Sequence, residues 1–162
     1  MGRYYEGDIE GKFWFAIQSS DDGEFFGAEE DEGNWINYYL NKDEFLESNG
    51  INKCKKALTF KHNGKTKRWW VLHDKWQKVI DKHYENNKDN PEQRYKYISF
   101  AEWLKKEHNI GNGDESYTSL KQQDSEFQKI YVWLARLNMG RKMQKFFKQN
   151  PKEDYLSFQA EC

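Results

Sequence analysis

The sequence predicts an α+β fold, in which a small antiparallel sheet of N-terminal strands plus a C-terminal strand is covered by several helices. Three observations lead there. Apolar residues recur with period two before about residue 42 and again after residue 152, and with three-to-four spacing between. Aromatic residues make up 17% of the chain while all hydrophobic types reach only 36%, so a few large rings must supply burial usually spread over Leu, Ile and Val. At 162 residues one core is the default. Residues 1–162 are therefore expected to form a single domain, with 1–41 and 153–162 mainly sheet and 42–150 mainly helical.

Each element has a local reason. Gly2-Arg3-Tyr4-Tyr5 and Gly11-Lys12-Phe13-Trp14 each run glycine, base and two aromatics. With Gly7-Asp8-Ile9-Glu10 between them they read as the arms of a hairpin. Phe13, Phe15 and Ile17 alternate with Trp14, Ala16 and Gln18, as a strand with one buried face requires. Ser19-Ser20-Asp21-Asp22-Gly23 breaks that strand, Glu29-Glu30-Asp31-Glu32-Gly33 reads as a solvated acidic loop, and Trp35 to Leu40 supplies a third strand. Asn41 with Glu44 forms a capping pair for a short helix through Glu47, and a second short helix is expected from Ile51 to Leu58. Trp69, Leu72, Trp76, Val79, Ile80 and His83 share one stripe of a helix over about Lys67 to Tyr84.

Asn86 to Pro91 is a polar linker closed by proline. Ser99 and Glu102 form a capping box ahead of Phe100, Trp103 and Leu104, in a helix that should stop near Gly111-Asn112-Gly113. Leu120, Phe127, Ile130, Tyr131, Leu134 and Leu137 mark a long helix, with a kink expected at Asn138-Met139-Gly140 and an end at Asn150-Pro151. In the tail, Leu156, Phe158 and Ala160 alternate with Tyr155, Ser157 and Gln159. Such a strand should return to the sheet of Phe13, Phe15 and Ile17, because alone it would leave its apolar face wet.

A net charge of −1 conceals two poles. Residues 1–50 hold 13 acidic and 3 basic side chains, whereas residues 51–150 hold 22 basic and 11 acidic. Between Glu126 and Glu153 there is no acid, while Lys129, Arg136, Arg141, Lys142, Lys145, Lys148 and Lys152 follow one another. The poles either cancel within one molecule, present a positive surface to phosphate or an acidic protein, or favour head-to-tail association into a homo-oligomer. No apolar run approaches the roughly 20 residues of a membrane helix, so no membrane partner is expected. The opening Met1 to Glu6 lacks the apolar core of a secretory signal, and two cysteines, Cys54 and Cys162, supply no disulfide framework. A cytoplasmic location follows as the expectation.

The segment Gly2-Arg3-Tyr4-Tyr5-Glu6-Gly7-Asp8-Ile9-Glu10-Gly11-Lys12-Phe13-Trp14-Phe15 resembles the opening of small uncharacterised proteins encoded by phages and marine viruses. The resemblance covers about the first forty residues and carries no activity or functional residue. It implies a viral accessory protein acting in the cytoplasm of an infected host cell.

Motifs of catalysis are mostly missing. There is no phosphate-cradling G-x-x-x-x-G-K-[ST], and Gly7-Asp8-Ile9-Glu10-Gly11 has Glu10 where a G-D-x-H-G metal motif needs histidine. His73 and His83 stand about 80° apart on one helix, which suits shared zinc poorly. Cys54 lies among Lys53, Lys55 and Lys56, whose charges would lower a thiol pKa; an inert, half-buried cysteine is the alternative. Asp8, Glu10, Asp21, Asp22 and Glu24 could converge on Mg²⁺ for phosphodiester cleavage, or simply be solvated turns. No catalytic residue, metal or cofactor is assigned.

The strongest chemical signal is basic and aromatic together. Lys65-Thr66-Lys67-Arg68 precedes Trp69-Trp70. On a helix beginning there, Trp69 faces the core and Trp70 lies near the basic side, able to stack on a base while Lys67 and Arg68 hold phosphate. The alternative makes Trp70 a second-layer core residue under a lysine stem. Arg94-Tyr95-Lys96-Tyr97 repeats the chemistry. Arg141, Lys145 and Lys148 follow i, i+4 and i+7 spacing, so their charges share one helix face. The reading that fits best is a non-catalytic viral binding protein whose partner is an anionic ligand (nucleotide or nucleic acid) or a host protein, through Lys67, Arg68, Trp70, Arg94, Arg141, Lys145 and Lys148. Nucleic-acid binding by the basic aromatic helices, a small metal-dependent nuclease and a virion or assembly component are the alternatives.

Overall fold

The computed structural model describes residues 4–12, 22–31, 36–114 and 126–160. Strands β1 (Tyr4–Gly7), β2 (Gly11–Lys12), β3 (Glu29–Asp31) and β4 (Ile36–Asn41) precede a second pair, β5 (Thr59–His62) and β6 (Lys65–Arg68), and the chain closes with β7 (Tyr155–Ala160). Helices are α1 (Asp22–Phe25), α2 (Lys42–Ser48), α3 (Gly50–Ala57), α4 (Trp69–Asn86), α5 (Pro91–Arg94), α6 (Phe100–His108) and α7 (Glu126–Gln149).

The fold is α+β, and its sheet depends on the C-terminal strand. The order is β2-β1-β7-β4-β3, with every pairing antiparallel. β7 thus lies in the centre, its Phe158 opposite Tyr38 and its Leu156 opposite Leu40. The alternation works as expected: Leu156, Phe158 and Ala160 are buried, whereas Tyr155, Ser157 and Gln159 are exposed. β1 and β2 form the expected hairpin, with Tyr5 opposite Gly11. Phe13, Phe15 and Ile17 lie outside the described residues, so the strand they were expected to add is not described. Glu29–Asp31 is not a loop but the edge strand β3, paired with β4.

Capping follows the sequence. Asn41 accepts hydrogen bonds from the amides of Asp43 and Glu44 at 2.9 and 3.3 Å, and Ser99 accepts from Glu102 at 3.2 Å. α7 runs as one helix through Asn138-Met139-Gly140. Glycine is needed at 140 for packing: a Cβ there would stand 2.5 Å from the ring of Phe26, and one at Gly50 would meet the same ring at 2.5 Å. Phe26, fully buried, is thus gripped where α3 lies along α7. Leu120 lies outside the described residues.

The main departure is β5–β6. Lys65–Arg68 does not open α4; it is a strand paired with Thr59–His62 through the two-residue turn Asn63-Gly64. Both turn residues have positive φ, 51° and 76°, the conformation that tight hairpin turns with the strands' own twist require. α4 starts only at Trp69, whose ring stacks on Phe60 at 4.1 Å and meets Phe100 edge-on. His73, Trp76, Trp103 and Tyr131 also gather around Phe100. The high aromatic content is spent on this cluster and on a second one under the sheet, where Tyr38 stacks on Phe158 and Phe45 joins Phe26 to Phe147. Among the described residues, no helix is long and apolar enough to cross a membrane.

Candidate functional site

Between α4 and α7 two side-chain stripes face one another. From α4 come Trp70, His73, Asp74 and Gln77, at i, i+3, i+4 and i+7; from α7 come Leu134, Leu137, Asn138 and Arg141. They line a hollow of about 230 Å³. A second hollow of about 240 Å³, lined from α2, α3 and α7, has Arg141 in common with it. Lys55 of α3 lines the second hollow and holds its ammonium 5.9 Å from the centre of the Trp70 ring, within the range of a cation–π contact. Small-molecule sites usually occupy about 300–1000 Å³, so a nucleotide-sized ligand would need both hollows, crossing Arg141.

Trp70 is half-buried and packs against the core on one side. It stands between the two readings made from the sequence. Arg141 is not free of acid as the helix alone suggested: Asp74 approaches its guanidinium at 3.6 Å. Both side chains are more than one-third exposed, and a pair so open contributes little stability. Arg141 can exchange that partner for a phosphate at small cost.

The other sequence-assigned residues are not brought to this cleft. Lys67 sits on β6 opposite Phe60, and Arg68 is the exposed last residue of that strand. Arg94 is occupied locally, its guanidinium 5.1 Å from the Tyr84 ring centre and 4.7 Å from that of Tyr95, with Nη2 donating to the Tyr95 hydroxyl. Lys145 and Lys148 are exposed on α7, and Lys145 borders a different hollow beside Asp8 and Glu10. Of the seven residues, only Trp70 and Arg141 come together. Lys55, His73, Asp74, Gln77 and Asn138 went unassigned, although helical spacing from Trp70 and from Arg141 points to all but Lys55.

Among the described residues the loop carboxylates do not assemble. Asp22 turns inward, 2% exposed, and pairs with Arg136 at 3.0 Å. An Asp8 carboxylate oxygen accepts the Ser157 amide at 2.8 Å. Asp21 lies outside the described residues. Among the described residues no three metal-ligating side chains cluster. Cys54 is fully buried, and burial pushes its thiol up to about 12, which fits the inert reading and not a lysine-lowered thiol. It is an inert packing residue.

His73, in the wall of the cleft, has its pKa lowered chiefly by burial, with Asp74 opposing. A histidine depressed in the folded chain contributes stability that is present above about pH 6.5 and lost as pH falls through its folded value. The melting temperature should therefore drop between pH 7.5 and 5.5, and drop less in His73→Phe. An identical drop in both proteins would show that His73 does not carry the effect.

No protein-family model, curated protein or solved structure matches the chain.

Proposed function

We propose that this is a non-catalytic binding protein that takes a nucleotide-type anion in the cleft between α4 and α7. The observation that carries the reading is the grouping of a half-buried indole with two cations, Lys55 and Arg141, around two hollows that share Arg141 in their walls. An aromatic face holds any base by stacking, and the cations hold phosphate. Gln77 and Asn138 add amides that can both donate to and accept from a base edge. Asp74 keeps Arg141 aligned until a phosphate replaces it. The resemblance of the opening residues to phage and marine-virus proteins supports an accessory role in the infected cell, where such a cleft would sequester a nucleotide signal.

Calorimetric titration with adenosine and guanosine monophosphates tests the reading. Trp70→Ala should weaken binding about 10-fold or more, since stacking on a base is worth roughly 1–3 kcal/mol, and Trp70→Phe should restore part of it. Stability should fall much less, because one side of Trp70 is already open. If stability and affinity fall in parallel, or Trp70→Phe restores stability alone, Trp70 is a core residue and the reading fails.

A further inference from the structure

We propose that the β5–β6 hairpin is a basic ribbon that docks in the major groove of B-form DNA, a function separate from the nucleotide cleft and not resting on it. Three features converge. First, residues 48–73 contain no acid and seven bases, Lys53, Lys55, Lys56, Lys61, Lys65, Lys67 and Arg68. This stretch folds as α3, the hairpin and the start of α4. Second, the register sorts the hairpin into two faces. Phe60 and Lys67 oppose one another on the face that meets Trp69, while Thr59 with Arg68, and Lys61 with Thr66, occupy the other. Those four outer residues are all exposed. Third, the hairpin is rigid at its root and open at its tip. The Trp69 amide donates to Leu58 O at 2.8 Å, the Thr59 hydroxyl donates to Lys55 O at 2.8 Å, and a Cβ built on Gly64 would meet nothing within 4 Å.

Charge and shape select the partner. Two cations, Lys61 and Arg68, with the Thr66 hydroxyl between them and no carboxylate on that face are complementary to phosphate, and an acidic protein would not need the projecting shape. B-DNA has a major groove about 12 Å wide, which admits a two-stranded ribbon, whereas the major groove of an RNA duplex is too narrow and deep for side chains to read. The outer face holds Lys61 and Arg68 ready for the backbone and the Thr66 hydroxyl for backbone or base edges, while Thr59 is held at the root by Lys55 O. The acidic strands belong to the other sheet, to which the hairpin is not hydrogen-bonded.

Fluorescence anisotropy of a labelled 20-base-pair DNA duplex, titrated with the full chain from low to moderate salt, tests this. The wild-type affinity should fall linearly on a log–log plot against salt. Lys61→Glu with Arg68→Glu should reduce affinity at least 10-fold at low salt, and the neutral pair Lys61→Gln with Arg68→Gln should flatten the salt slope by about 2, one unit for each lost phosphate contact. Lys145→Glu with Lys148→Glu changes net charge by the same amount on another surface and should lose much less. Titration of the hairpin variants with adenosine monophosphate should match wild type, which keeps this outcome distinct from that of the cleft. Three results would overturn the proposal: no binding to DNA at low salt, equal losses from the hairpin and α7 variants, or equal affinity for an RNA duplex of the same sequence.

Discussion

A chain lacking residues 153–162 should fail to unfold cooperatively. β7 is hydrogen-bonded to β1 on one side and β4 on the other, so its removal splits the sheet into β2–β1 and β4–β3. Isolated two-stranded pairs are marginal in water. Leu156 and Phe158, 0% and 2% exposed, each take with them burial worth roughly 1.5–3 kcal/mol. Tyr38, Leu40 and Tyr5 lose the strand that covers them in register. Against a typical domain stability of about 5–15 kcal/mol, that loss removes most of the margin. Urea unfolding followed by tryptophan fluorescence and near-ultraviolet dichroism checks it. A truncated protein with the wild-type midpoint would remove β7 from the core.

Replacing Arg136 by alanine should cost about 3–5 kcal/mol, the range for breaking a buried ion pair by deleting one member. The Asp22 carboxylate is 2% exposed and sits 3.0 Å from the Arg136 Nε. The guanidinium also lies over Phe25 at 5.2 Å and Trp133 at 4.8 Å, so it ties α7 to α1 with both charge and area. Asp22→Asn combined with Arg136→Met should cost clearly less than the sum of the single changes, because a neutral pair leaves no charge stranded. Denaturant titration with unchanged m-values gives the comparison. A single-variant loss below about 1 kcal/mol would mean that solvent reaches Asp22 more freely than its packing indicates.

The elements readable from the sequence were those whose signal is local. The caps at Asn41 and Ser99 act over three residues, the apolar stripe of α4 repeats over about four turns, and the alternation in β7 needs only six residues. β5 and β6 were hidden because four-residue strands carrying Lys61, Lys65, Lys67 and Arg68 present no apolar alternation. Their one local marker is the Asn63-Gly64 turn, and the Trp69 stripe that follows reads as a helix reaching back over Lys67. β3 was hidden for a similar reason, as an acid run reads as loop until an edge position explains it. Within the site, Trp70 and Arg141 were readable by residue type. Their meeting was not, since it depends on α4 lying beside α7 across a long stretch of chain. Nor could spacing show that Asp74 would pair with Arg141, that Asp22 would pass inside to Arg136, or that Tyr84 and Tyr95 would take up Arg94.

The cleft of Trp70, Lys55 and Arg141 is proposed to hold a nucleotide-type anion. Native mass spectrometry of the protein incubated with an equimolar mixture of ribonucleoside mono-, di- and triphosphates tests it most directly, because binding, stoichiometry and oligomeric state are read together. One added nucleotide mass per chain is expected, with the adduct depleted in Trp70→Ala and in Arg141→Ala but retained in Lys145→Glu with Lys148→Glu. A chain that remains empty throughout the mixture, or an adduct that survives both cleft substitutions, would contradict it.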